Sequence, residues 1–352
     1  MAALIELHGL SVEIPTPGGW IRPVNDVSFA LEAGESLGLV GESGSGKSML
    51  ALALMGLLPP GARVSGEAWL SGFHSNGASG PGANGSRVNL LALSERERIA
   101  VRGRDVAMIF QEPMTALNPV MRVGAQIAEA ILAHHPGLSR EEVDRRVALA
   151  LERAVVPEPA MRARQFPHQL SGGLRQRAMI AMALAGHDGA PGSASTNGAS
   201  EPRLLIADEP TTALDVTVQK QILELLARLR RELGLALLFI THDLGVVAQV
   251  ADRIAVTYAG QIVEEGPALE VLARPRHPYT AGLLRASPQL VRHKLEPIPG
   301  TVPALTALPP GCAFEPRCPV RIAECTVAMP ELRSAGPNHS ARCILVAESG
   351  SK

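Results

Sequence analysis

Short unbroken apolar runs and longer stretches of helical period alternate along this chain. "SLGLV" (36–40), "RLLIAD" (203–208) and "ALLFIT" (236–241) are apolar at nearly every position. That pattern predicts strands buried on both faces, as in a parallel sheet covered by helices. Between the last two runs lies "TVQKQILELLARLRREL", apolar at helical spacing, so the order from residue 203 reads strand, amphipathic helix, strand. The opening reads differently. "LIELHGLSVEI" and "RPVNDVSFALEAGESLGLV" carry short alternating runs broken by Pro and Gly, which predict antiparallel strands feeding the buried strand at 36–40. A helix is expected from about Lys47 to Gly56, stopped by "GLLPPG", and another over 139–156, behind a Ser N-cap.

Two stretches interrupt this order. Residues 72–87, "GFHSNGASGPGANGSR", and 186–202, "GHDGAPGSASTNGASEP", have the composition of solvated, flexible insertions. Beyond about residue 270 the chain turns rich in Pro and Gly and loses its long periodic segments. The expected organisation is a main domain over 1–270, with its helical part at about 112–185, and an extension over 271–352.

Composition narrows the classes. A length of 352 residues suggests about two domains. The formal charge of −1 supplies no basic field for nucleic acid. Aromatic residues make up 3% against 46% hydrophobic overall, so the expected core is aliphatic, and base-stacking platforms are disfavoured. No apolar run approaches the ~20 residues that span a bilayer. The start "MAALIELHGL" lacks the basic region of a signal peptide. A cytosolic chain is expected, reaching a membrane only through a partner.

Candidate chemistry begins at "GESGSGKS", Gly41 to Ser48. Four fixed positions of this kind arise by accident in roughly one chain in a hundred of this length, so context must decide. Here an apolar strand precedes the loop and a helix follows it. Gly41, Glu42, Ser43, Gly44, Ser45, Gly46, Lys47, Ser48 and Met49 then form a loop whose backbone N–H groups face phosphate oxygens at a helix N-terminus. Lys47 supplies a cation for the β- and γ-phosphates and Ser48 a hydroxyl for Mg²⁺. A second buried strand ends in "ADEP", where Asp208 fits the Mg²⁺ shell and Glu209 fits the activation of water.

"LSGGLRQR" at 170–177 separates the many families that share this much. With it the chain resembles the ATP-binding subunits of ABC transporters. Gly41–Ser48 matches their Walker A loop, Gln111 in "IFQEP" the Q-loop, and Ser171, Gly172 and Gly173 the signature. Asp208 and Glu209 match the Walker B pair, Asp215 in "ALD" the D-loop, and His242 in "ITHD" the switch histidine. The resemblance implies a P-loop NTPase of the α/β class: a RecA-like parallel core, an antiparallel β subdomain, an α-helical subdomain and a small irregular C-terminal extension. It implies an ATPase with Mg²⁺ held by Ser48, Gln111 and Asp208, catalysis by Glu209, His242 and Gln111, and a head-to-tail dimer. In that dimer Ser171 of one subunit caps the γ-phosphate at Lys47 of the other. One departure stands out. Members of the family stack adenine on an aromatic residue, and the matching position here is Ile14, with Trp20 nearby as a substitute.

The tail adds detail. "HPYTAGLL" at 277–284 and "PIPGTVPALTALPPGCAFEPRCP" at 297–319 resemble the C-terminal extension of the oligopeptide/dipeptide importers, as does "IFQEPMTALNP" at 109–119. Cys312, Cys318, Cys325 and Cys343 are the chain's four cysteines, and in some members of that group cysteines at similar spacing bind a 4Fe-4S cluster, which the resemblance offers as one reading here. Four thiolates also suit zinc, although the paired knuckle of common zinc folds is missing. Free thiols are the third alternative. The resemblance implies two membrane permeases, a second ATPase subunit of the same or a related kind, an extracytoplasmic binding protein, a peripheral place on the cytoplasmic face, and no nucleic acid. Peptide is the expected cargo, with nickel, glutathione or sugars as alternatives and a non-transport ABC ATPase as the more distant one.

Overall fold

The computed structural model describes residues 3–73, 86–186, 203–212, 214–288 and 296–346. Most of the two Gly/Ser/Asn-rich stretches lies outside the described residues. The strands are β1 (Ile5–Thr16), β2 (Gly19–Leu31), β3 (Ser36–Val40), β4 (Arg63–Phe73), β5 (Ser86–Asn89) and β6 (Val106–Ile109). They continue with β7 (Leu204–Asp208), β8 (Ala236–Thr241), β9 (Arg253–Tyr258), β10 (Gln261–Pro267), β11 (Arg333–Gly336) and β12 (His339–Ala341).

Two sheets result. The first is antiparallel, in the order β2-β1-β4-β5. The second has eight strands in the order β11-β12-β10-β9-β3-β8-β7-β6. Its pairs from β6 across β7, β8 and β3 to β9 are all parallel. Every residue of β3, β7 and β8 is buried, which is why their sequences show no alternation. The helix Val216–Leu233 covers one face with Ile222, Leu223, Leu225, Leu226 and Leu229. Asp215 caps its start and Gly234, at φ 64°, ends it in the left-handed conformation.

Three apolar clusters organise the chain. One joins the antiparallel sheet to the helix Lys47–Met55. Another fills the face of the parallel sheet under the helix Val216–Leu233. The third ties the helices Val123–His134, Arg140–Arg153 and Gly172–Ala183 into a separate helical layer.

The extension is less detached than its composition suggests. β12 pairs with β10 at Glu264–Ala341, and β11 pairs with β12, so the tail completes the central sheet. Tyr279, Ala313 and Phe314 are buried within the cluster that carries Phe239 and Tyr258. Short polar strands such as "RSAG" and "HSA" carry no periodic signal of their own and become strands through pairing.

Candidate functional site

Parallel register places four strand ends side by side. Val40 of β3 pairs with Thr241 of β8, Asp208 of β7 with Ile240, and Ile109 of β6 with Ala207. The residues just beyond these ends are the loop Gly41–Ser48, Glu209, His242 and Gln111. Ligands bind parallel α/β sheets at such carboxyl ends, and here four candidate segments meet there.

The loop is wedged between two strands. A Cβ on Gly41 would lie 2.2 Å from the carbonyl oxygen of Thr257, and one on Gly46, at φ 95°, would lie 1.8 Å from that of Pro23. No side chain fits at either position. Ser43 and Gly44 form the exposed tip, Ser45 is buried with its hydroxyl 3.1 Å from Thr257 Oγ1, and Met49 packs against the core beneath.

Lys47 starts the helix, and its side chain turns back into the loop. Nζ donates to the carbonyls of Gly41 at 2.8 Å and Glu42 at 3.0 Å and to Ser45 Oγ at 3.2 Å. Burial lowers its pKa below that of an ordinary lysine, while the carboxylates of Glu209, Asp208 and Glu42 act in the opposite sense. The ammonium is thus held where incoming phosphate oxygens would replace weak carbonyl acceptors.

Asp208 is buried, which raises its carboxyl pKa; the Ser48 hydroxyl hydrogen-bonds to it and opposes that rise. Its Oδ1 is enclosed and has no hydrogen-bond partner among the described residues. A hydroxyl and a carboxylate joined in this way, with one buried oxygen unsatisfied, are a hard donor pair that fits Mg²⁺.

Glu209 follows in a left-handed backbone conformation, φ 44°, which costs on the order of 1–3 kcal/mol. Its N–H is anchored on the carbonyl of Ile240 at 2.9 Å. Three groups surround its Oε2: Thr212 Oγ1 donates at 2.8 Å, Gln111 Nε2 donates at 3.3 Å, and His242 Nδ1 lies at 3.3 Å. Gln111, Glu209 and His242 come from three separate segments and meet on one oxygen. Thr212 escaped the sequence reading; its signal is a hydroxyl three residues beyond the glutamate in "DEPTT".

Ser171 and Asp215 stand at two other helix starts. Ser171 Oγ accepts from the N–H of Leu174 at 3.4 Å, and Asp215 accepts from that of Val218 at 2.9 Å. The two starts are packed together: a Cβ on Gly173 would lie 2.7 Å from Val218 Cγ1, and one on Gly172 3.6 Å from Leu214. In the single chain the signature and Asp215 serve their own helices.

Comparison with known proteins decides what this assembly is. Residues 24–189 match the ABC transporter family and residues 263–325 the oligopeptide/dipeptide transporter C-terminal region. A putative peptide import ATP-binding protein of Brucella ovis is 46% identical over 349 residues, covering 97% of this chain and 96% of the relative. The chain belongs to the ABC-transporter ATP-binding subunits of the oligopeptide/dipeptide group. The oligopeptide transport ATP-binding protein OppD of Salmonella typhimurium is 45% identical, covering 97% of this chain and 93% of its own. Among solved structures, an ATP-binding cassette captured as a dimer after hydrolysis, bound to ADP and Pi, aligns with a TM-score of 0.59. It is 26% identical and covers 75% of this chain and 98% of its own.

The two candidates for the adenine contact of this ABC subunit differ in surroundings. Ile14 is partly buried and packs against the core. Trp20 is 45% exposed, with the Arg63 guanidinium 4.0 Å from its ring centroid.

The four cysteines, separated by up to 31 positions, all line one small pocket with His277, Phe314 and Pro330. Cys312 N donates to the carbonyl of Cys325 at 2.8 Å, and a Cβ on Gly311 would lie 2.1 Å from that oxygen, so these two turns are pressed together. Burial raises the pKa of the Cys312, Cys318 and Cys343 thiols. Among the described residues no three His, Cys, Asp or Glu side chains are grouped to hold a single metal ion. Nor is any described helix long and apolar enough to cross a membrane.

Proposed function

We propose that this chain is the ATP-hydrolysing subunit that powers peptide import through an ABC transporter. The observation that carries the reading is the meeting of Gln111, Thr212 and His242 on the Glu209 carboxylate beside Asp208 and Lys47. The loop Gly41–Ser48 binds the phosphates, with Lys47 exchanging its carbonyl partners for β- and γ-oxygens. Ser48, Asp208 and Gln111 hold Mg²⁺, which when bound offsets charge on the phosphates. Glu209 orients and deprotonates the attacking water, and His242 reads the γ-phosphate. Ser171, Gly172, Gly173 and Asp215 complete the site across a head-to-tail dimer with a second, like or related, subunit. The exposure of Trp20 supports it, over Ile14, as the adenine contact.

Peptide as cargo is supported by the names of the relatives from Brucella ovis and Salmonella typhimurium. The full machine then comprises two membrane permeases and an extracytoplasmic binding protein, with this subunit peripheral on the cytoplasmic side. Proteoliposomes carrying the permeases, the binding protein and this subunit test the reading. Labelled dipeptide or oligopeptide should accumulate only with ATP, and uptake of nickel, glutathione or a sugar in its place would overturn the cargo.

We infer further that Cys312, Cys318, Cys325 and Cys343 hold a 4Fe-4S cluster. Each thiolate of such a cluster binds its own iron, so cysteines spread around a pocket suit it better than they suit one zinc ion. Anaerobically purified protein should be brown, with about four iron and four sulfide per chain. Colourless protein with one zinc, or with four titratable thiols and no metal, would refute the cluster.

A further inference from the structure

The second residue of the phosphate loop is a glutamate, and the extension reaches back to it from far along the chain. Arg317 Nη1 donates to Glu42 Oε2 at 2.7 Å and Nη2 to Oε1 at 3.0 Å, a two-pronged pair across 275 positions. The Arg317 side chain is 4% exposed. Its Nε donates to the carbonyl of Pro299 at 3.0 Å and its Nη1 also lies 3.3 Å from the Tyr258 hydroxyl. Tyr279, fully buried, accepts the Glu42 N–H on its hydroxyl at 2.9 Å. The Glu42 carbonyl in turn accepts from Lys47 Nζ and from the N–H of Ser45 at 3.2 Å. Every polar group of Glu42 is therefore engaged, and two of the partners come from the extension.

Charge makes this arrangement consequential. A carboxylate one residue into a phosphate-binding loop repels the nucleotide unless a cation offsets it. Lys47 is committed to the phosphates. The buried fork of Arg317 is the cation that answers Glu42. We propose that Arg317, assisted by Tyr279, is a positioning residue for ATP: it neutralises and fixes Glu42, so that the docked extension sets the affinity of the phosphate loop. The proposal rests on the reading of Gly41–Ser48 as the nucleotide site. Arg317 lies one residue before Cys318, between two of the clustered cysteines, so loosening that segment is felt at the ATP site.

The full chain carries the test, with KM and kcat for ATP and affinity for a fluorescent ATP analogue as readouts. Arg317→Met should raise KM about tenfold, the order expected for one uncompensated charge within a Debye length of the phosphates, with kcat changed less than threefold. The double variant Arg317→Met/Glu42→Gln, which removes the stranded charge but restores no tail contact, should recover most of the lost affinity. An unchanged KM in Arg317→Met overturns the proposal. So does a double variant as weak as the single one, since tail packing rather than charge would then be responsible. If Arg317→Met does not fold, Tyr279→Phe, which removes one hydroxyl and keeps the ring, should raise KM severalfold; an unchanged KM there is equally fatal. Failure of the underlying reading would look different: Lys47→Ala would leave nucleotide affinity intact.

Discussion

Two glycines of one loop separate backbone strain from steric fit. Gly44 and Gly46 both have positive φ, 81° and 95°, so an alanine at either position pays about 1–2 kcal/mol for the left-handed backbone. Their surroundings differ. A Cβ on Gly44 meets nothing within 4 Å, whereas one on Gly46 lies 1.8 Å from the carbonyl oxygen of Pro23 and 2.9 Å from its carbon. Pro23 belongs to β2, held in the antiparallel sheet, so relief requires the loop or the strand to move by more than 1 Å. Overpacking of that kind adds typically 1–3 kcal/mol, giving a total of about 2–5 kcal/mol for Gly46→Ala. The assay is thermal unfolding without nucleotide, which keeps phosphate contacts out of the comparison. At about 2–4 °C per kcal/mol, Gly44→Ala should lower the midpoint by roughly 2–8 °C and Gly46→Ala by about 2–12 °C more than its neighbour. Equal shifts from the two variants would refute the wedging of Gly46 against β2.

Three further outcomes follow from the site. Thr212→Val removes a 2.8 Å donor to Glu209 and should lower kcat about fivefold to tenfold with little change in KM, Thr212→Ser recovering the rate; an unchanged kcat would remove Thr212 from the site. Lys47 has a pKa below that of an ordinary lysine, so its charge is lost as pH rises through that lowered value. ADP affinity should therefore decline on the alkaline side before a normal lysine titrates, and affinity flat to about pH 10 would contradict the burial of Lys47. The unfolded chain binds more protons in the same window, so this group makes the nucleotide-free fold more stable as pH rises through it. Trp20→Ala should weaken ATP binding about tenfold through lost base stacking, and a loss seen with Ile14→Ala instead would move the adenine contact to Ile14.

The sequence exposes what is local and hides what is distant. β3, β7 and β8 are visible as unbroken apolar runs because both of their faces are buried. The helix Arg140–Arg153 announces itself through Ser139 as a cap, and Val216–Leu233 through its apolar spacing. The loop, Glu209 and His242 are readable because each sits at the end of a recognisable strand, and Gln111 through the resemblance of "IFQEP" to the Q-loop. Their meeting on one carboxylate oxygen is a product of register and needs the sheet. Tyr279 and Arg317 lie in segments that carry the resemblance, but nothing local marks their pairing with Glu42, 237 and 275 positions away. β11 and β12 are likewise invisible, being too short and polar to show a period. The Pro-rich composition that marks the extension as separate says nothing of Phe314, which packs against both Tyr258 and Tyr279 with ring centroids 5.3 Å from each, the two tyrosines themselves touching at 4.6 Å.

Glu209→Gln tests the central claim most directly, because it keeps the shape of the side chain and removes only its capacity to take a proton. Single-turnover and steady-state hydrolysis, read beside ATP affinity and the oligomeric state in ATP, should show turnover reduced by roughly 10²–10⁴-fold, binding retained, and a stable ATP-bound dimer. Hydrolysis within about threefold of the parent protein would show that the carboxylate gathered by Gln111, Thr212 and His242 is not the catalytic base, and the proposed mechanism would fall with it.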